Sequence, residues 1–148
     1  MRITELNLLT KRGEYISMFC IGAVCYGLLE IIWRGHTHWT MVLTGGVCVM
    51  ILHWSNMRNY YKSLWVKCAY GSMYITMVEF AVGWLVNIQM DMNVWDYSDQ
   101  FMNIMGQVCL LYSIFWYLLT IPTVFLSNYF ISRRPRGIVW KKEGGRQK

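Results

Sequence analysis

The stretch Tyr26–Met41, YGLLEIIWRGHTHWTM, closes one apolar run and opens the next. One acid, Glu30, interrupts a run otherwise suited to lipid. The chain then breaks into Arg34-Gly35-His36-Thr37-His38 before apolar residues resume at Trp39. Two apolar runs joined by so short a polar break read as neighbouring antiparallel helices. The same pattern extends outward. Apolar stretches at Tyr15–Trp33, Trp39–Trp54, Leu64–Met90 and Met102–Ser127 each approach the roughly 20 residues a helix needs to cross a bilayer. Hydrocarbon offers no water to backbone amides, so such runs become helices. The predicted fold is all-α, an integral membrane bundle of four transmembrane helices.

Composition supports that solvent. The chain has 148 residues, is 55% hydrophobic and carries eight Trp and ten Tyr. A soluble domain of this size would have to hide that material in one core with little charge to cover it. No cleavable signal peptide is read before the first run, because no small-residue site follows it.

Basic residues alternate with each crossing. Arg2, Lys11 and Arg12 precede the first span, and Arg58, Lys62 and Lys67 lie around the second connection. Arg133, Arg134, Arg136, Lys141, Lys142, Arg146 and Lys148 follow the last span. The first connection has only Arg34, and the third holds Asp91, Asp96 and Asp99 with no Lys or Arg. The positive-inside rule then makes the N- and C-termini cytoplasmic. The expected organisation is a cytoplasmic or interfacial leader at 1–14, a four-helix transmembrane domain at 15–131 and a basic cytoplasmic tail at 132–148. The net charge of +6 is largely this topology signal. No basic-aromatic module for nucleic acid is visible, so the expected partner is the lipid bilayer.

The polar residues inside apolar runs are the functional candidates. Glu79, Gly83 and Asn87 recur at steps of four and share one helix face, with Glu79 expected near the bilayer midplane. An acid there costs roughly 2.5–3.5 kcal/mol on insertion scales, so it is paired, protonated or lines a wet cavity. Glu30 and Arg34 stand at i, i+4 with the acid first, the favourable order for a helical ion pair. Tyr26 lies one turn before them. His36 and His38 resemble a metal-binding pair, but no third ligand is specified, and no metal or cofactor is predicted. Trp33, Trp39, Trp95 and Tyr97 suit an interfacial aromatic belt.

Ser98 and Asp99 read as N-cap residues of the fourth helix, with Asn103, Gly106, Gln107 and Ser113 forming a polar stripe along it. The outer halves of the spans thus gather Tyr26, Glu30, Arg34, His38, Glu79, Asn87, Trp95, Asp96, Tyr97, Asn103 and Gln107. Almost nothing comparable is seen in the cytoplasmic halves. The expectation is a cavity open to the outside with Glu79 at its floor. The five cysteines all fall in or beside apolar spans, without a CxxC, and read as packing residues. There is no GxxxxGK[ST], GxSxG, HExxH or EF-hand loop.

At these residues the chain resembles a family of small bacterial membrane proteins, the ABC-transporter type IV (CmpB-like) permeases. The resemblance rests on Gly22, Tyr26, Glu30, Trp33-Arg34-Gly35, His38, Met41 and Gly45-Gly46. It continues through Glu79, Gly83 and Asn87, then Trp95-Asp96-Tyr97-Ser98, then Asn103, Gly106-Gln107 and Cys109-Leu110. It covers roughly Phe19 to Trp116. It implies a transporter membrane subunit in a bacterial plasma membrane. Four spans are few for a permease half, so a homo-oligomer or a separate ATPase subunit would be needed. The importer coupling-loop pattern (EAA followed by Gly) is absent.

The reading of function is a permease-like protein binding a small polar or cationic solute in the outer cavity. Two alternatives stay open. One is a membrane-embedded enzyme acting on a lipid head group, for which acid, histidine and arginine at an interface are suited. The other is a non-catalytic accessory subunit.

Overall fold

The structure, a computed structural model, describes residues 3–134, with side chains from Lys11 onward. The tail cations Arg136, Lys141, Lys142, Arg146 and Lys148, and Arg2 of the leader, lie outside the described residues. Four helices carry the fold. α1 is Ile3–Arg34, α2 is Trp39–Arg58, α3 is Leu64–Gly83 and α4 is Leu110–Ser132. Each supplies a segment long and apolar enough to cross a bilayer: Lys11–Arg34, Trp39–Arg58, Leu64–Gln89 and Leu110–Ser132. The chain is an all-α, multi-pass membrane bundle.

The break after α1 is built from the residues that mark it. Gly35 takes φ 75° and its amide returns to the Ile31 carbonyl at 2.9 Å. This is the left-handed helix stop that glycine adopts most readily. His38 then sits in extended conformation as the N-cap of α2, its ring accepting from the Thr40 amide. Glu30 lies between, accepting from Arg34 at 3.1 Å and from the Thr37 hydroxyl at 2.7 Å. The polar residues of the opening stretch therefore end one helix, start the next and tie the two together.

α1 packs along α2, α3 packs along α4, and α2 touches both α3 and α4. The α1–α2 contact is close because glycines face it. A Cβ on Gly22 would stand 2.7 Å from the Gly45 carbonyl oxygen. On the other pair, Ser72 donates to the Ser113 carbonyl at 2.6 Å, and Thr76 and Ser113 share a hydroxyl bond at 3.0 Å. Small and hydroxyl side chains are what membrane helices use to approach one another. Buried Lys67, in the first turn of α3, donates to the Tyr60 carbonyl at 2.8 Å and holds the α2–α3 turn.

The region after α3 departs from expectation. α3 continues as a π-helical segment, Trp84–Gln89. The fourth helix begins at Leu110, capped by Cys109, so Met102–Cys109 is not helix and Ser98-Asp99 is not its N-cap. Asn103, Gly106 and Gln107 consequently form no stripe on α4. Residues 90–109 form a compact cap whose Trp95, Gln107, Val108 and Cys109 are buried. The apolar residues of 102–109 resemble the start of a span, but Met102, Met105 and Gly106 all take positive φ. Asn103 accepts from the Gly106 amide and donates to the Ser98 and Gln100 carbonyls. Such side-chain bonds offer the backbone an alternative to helix.

Gly106 is the tightest point of the cap. At φ 69°, its added Cβ would meet Ser98 Oγ at 2.6 Å and Asp96 Oδ1 at 2.7 Å. Gly106→Ala is expected to destabilise the protein by about 1–3 kcal/mol through backbone strain and collision. Thermal unfolding in detergent checks this, and an unchanged midpoint would contradict the cap geometry.

Candidate functional site

Asn87 is the anchor of the cap. Its amide donates to the Trp95 carbonyl at 3.0 Å and to Gln107 Oε1 at 2.8 Å, and its oxygen accepts from the Val94 amide at 2.7 Å. Trp95 Nε1 in turn donates to the Gln107 carbonyl at 3.0 Å. Backbone inside an apolar bundle must find such partners, because none come from solvent. With this anchor, the cap lowers Tyr97 onto α3.

Glu79 is 3% exposed. Tyr97 donates its hydroxyl to Oε1 at 3.2 Å, and Trp116 of α4 donates Nε1 to Oε2 at 2.8 Å. Burial, and next the nearby Glu79 carboxylate, push the Tyr97 phenol up from its ordinary value. Tyr97 therefore stays a donor. Its ring stacks on Tyr112 with centroids 4.4 Å apart. Asp96 next to it is exposed, and hydrogen bonds from the Ser98 side chain and amide hold its carboxyl below the usual carboxylate range.

Two cavities flank this arrangement. The upper, about 440 Å³, lies between α1, α4 and the cap, and includes Glu30, Arg34, Trp95, Asp96 and Tyr97 in its lining. Aromatic rings dominate the rest of its wall, with Tyr26, Trp33, Tyr112, Phe115 and Trp116. Arg34 is held there by Glu30 and by a 2.7 Å bond to the Val94 carbonyl. The lower, about 380 Å³, lies beneath it between α1 and α4, with α2 and α3 closing its inner side and Glu79 in its wall. Tyr26, Leu29 and Trp116 line both.

A protein-family model described as "Putative ABC-transporter type IV" matches residues 13–142. The chain belongs to this family. It is a permease-like membrane protein of a transporter family. No curated protein and no solved structure matches the chain.

The candidate residues separate into two groups. Tyr26, Glu30, Arg34, Trp95, Asp96 and Tyr97 share the upper cavity, and Glu79 faces the lower one. His38, Asn87, Asn103 and Gln107 line neither cavity. They are bound to the α2 N-terminus and to the cap's own backbone. Trp95 is 5% exposed, so it belongs to the interior and not to an aromatic belt. Trp116, Tyr112 and Phe115 were hidden among the apolar residues of the last span. An indole in such a helix needs an acceptor for its N–H, but a linear chain does not say which one.

The opposite end of the bundle is also polar, contrary to expectation. Glu14, His53, Asn56 and Ser127 are all buried there. Arg134 donates Nε to Glu14 Oε1 at 2.8 Å. His53 Nε2 lies 3.5 Å from Glu14, and its Nδ1 is 2.8 Å from Ser127 Oγ. Asn56 donates to Ser127 and to Asn128. Glu14 falls in the leader expected at 1–14 and Arg134 in the tail expected at 132–148, so no local pattern marks their pairing across 120 positions. The cluster binds the start of the α1 span to the end of α4.

Asn87→Ala removes partners from three buried backbone or side-chain groups, at about 1–3 kcal/mol for each group left unsatisfied. It is expected to lower thermal stability strongly and to expose the cap to proteolysis before the helices unfold. Glu14→Gln breaks a buried ion pair, with an expected loss of about 3–5 kcal/mol. Chemical unfolding in mixed micelles measures it, and a loss under about 1 kcal/mol would show that the pair is not holding α1 to α4.

Proposed function

We infer that the protein binds a small organic cation in the upper cavity as the solute-recognition step of a permease. The observation that carries this reading is the wall of that cavity. Aromatic faces surround it, and cations are attracted to aromatic faces by the ring quadrupole, most strongly at Trp. The charges agree. Glu30 and Arg34 neutralise each other at 3.1 Å, leaving Asp96 as the uncompensated charge of the lining. With the basic ends placed in the cytoplasm by the positive-inside rule, this cavity opens outward.

Glu79 stands at the next step inward. Its neighbours Tyr97 and Trp116 belong to the upper cavity, while its own side chain faces the lower. A solute or proton leaving the upper site would meet this carboxylate first. Within an apolar span such an acid is the natural place for the cation or proton that accompanies transport. We place it in a bacterial plasma membrane, as the family resemblance implies, and assign it a second copy or an ATPase subunit because four spans are few for a permease half.

Tetramethylammonium titrated into the purified protein is expected to quench tryptophan fluorescence saturably. Trp33→Leu keeps the exposed position apolar but removes a π face, and should weaken binding by roughly two- to thirtyfold. Asp96→Asn should weaken it further and flatten its salt dependence. Absence of saturable binding, or equal binding by both variants, would refute the reading. Glu79→Gln tests the second step. Glutamine can accept from Trp116 and donate to the Tyr97 oxygen, so the fold is expected to persist. Uptake into proteoliposomes should fall to background while tetramethylammonium binding remains within about threefold of the parent.

A further inference from the structure

We propose that the solute is an amphiphile, its cationic head in the upper cavity and its alkyl chain in the lower cleft between α1 and α4. This rests on the reading of the upper cavity as a cation site and names the class of molecule it takes. The two cavities are end to end, sharing Tyr26, Leu29 and Trp116. One is aromatic and charged, the other chiefly hydrocarbon. Ile21, Cys25, Leu29, Leu119 and Leu126 line the lower one. Three of its polar residues are already engaged. Thr44 donates to the Thr40 carbonyl and Thr123 to the Leu119 carbonyl, so each hydroxyl turns back to its own helix. Both Glu79 oxygens are held by Tyr97 and Trp116. What remains is mainly hydrocarbon, with the Tyr26 hydroxyl at the junction with the upper cavity, and this surface suits an alkyl chain.

The length and entrance of the cleft fit a chain. From Trp116 to Leu126, α4 rises roughly 15 Å, about the reach of an extended twelve-carbon chain. α1 and α4 are fastened at both ends. Glu14 and Arg134 hold the basic end. Arg34 on the Val94 carbonyl and Trp33 against Phe115, with ring centroids 6.4 Å apart, hold the other. Between these ties the helices leave a lateral slot at bilayer depth, where Cys25 and Leu29 are exposed. A molecule already dissolved in the membrane can enter sideways, chain first, and bring its head to Asp96 and the aromatic wall. The charge complementarity selects a cationic head over an anionic one.

The test uses the full chain in nanodiscs, titrated with tetramethylammonium and with trimethylammonium ions bearing chains of eight, twelve and sixteen carbons. Tryptophan quenching is read for the parent and for Cys25→Trp, which fills the slot at an exposed position. Leu126→Trp provides a second filling site at the far end. Chain partition into the bilayer is common to all proteins and cancels between them. The parent is expected to gain roughly three- to fourfold in affinity per added methylene up to about twelve carbons, beyond that common background. Both filled variants should lose this gain and still bind tetramethylammonium.

Equal chain-length dependence in the parent and both variants would overturn the alkyl site and leave the cation site standing. No saturable binding of tetramethylammonium would instead remove the cation reading itself. Efficient disulfide crosslinking of two chains through Cys25, with no chain-length effect, would assign the cleft to a second copy and overturn the proposal.

Discussion

A carboxylate inside an apolar bundle has to be given its hydrogen-bond donors by the protein, and Glu79 receives them from two separate segments. Trp116 reaches it from α4, and Tyr97 reaches it from the cap between α3 and α4. The acid is therefore a meeting point and not merely a tolerated charge. It sets where the cap descends, which face α4 turns inward, and where the two cavities meet. The cost of leaving such a group unpartnered is large enough to make this arrangement the dominant local constraint.

The cap is what allows the meeting. Buried irregular backbone survives only where protein satisfies it. Asn87, Asn103 and Gln107 provide that satisfaction, each bonded to backbone or to another member of the cap. Their role explains how polar residues can crowd one end of a membrane bundle without facing a solute. The residues left to face the cavity are mainly aromatic, with Glu30, Arg34 and Asp96 at its edge. That division gives the upper cavity its lining, a π-rich wall with one uncompensated negative charge.

At the opposite end a second buried network performs a mechanical task. Glu14, His53, Asn56, Ser127 and Arg134 join α1, α2 and α4. α1 otherwise depends on its close contact with α2, where Gly22 and Gly45 permit approach. A slot can persist between α1 and α4 because polar ties secure them at both ends. The hydrocarbon-lined cleft and the buried ion pair are thus parts of one arrangement.

Four membrane-length helices were legible in the chain because each helix satisfies its own backbone, making hydrophobic length a local property. The Glu30–Arg34 pair was legible for the same reason, since one helical turn brings i and i+4 together. The shared face of Glu79, Gly83 and Asn87 also followed from helical spacing, and all three are buried. The start of α4 was not legible. Residues 102–109 have the composition of a span, and only positive backbone angles and the bonds of Asn103 divert them into the cap. Tertiary structure alone decided that Trp116 meets Glu79 and that Glu14 meets Arg134. Those contacts join residues far apart in the chain, and their pairing depends on how helices pack, which no local period records.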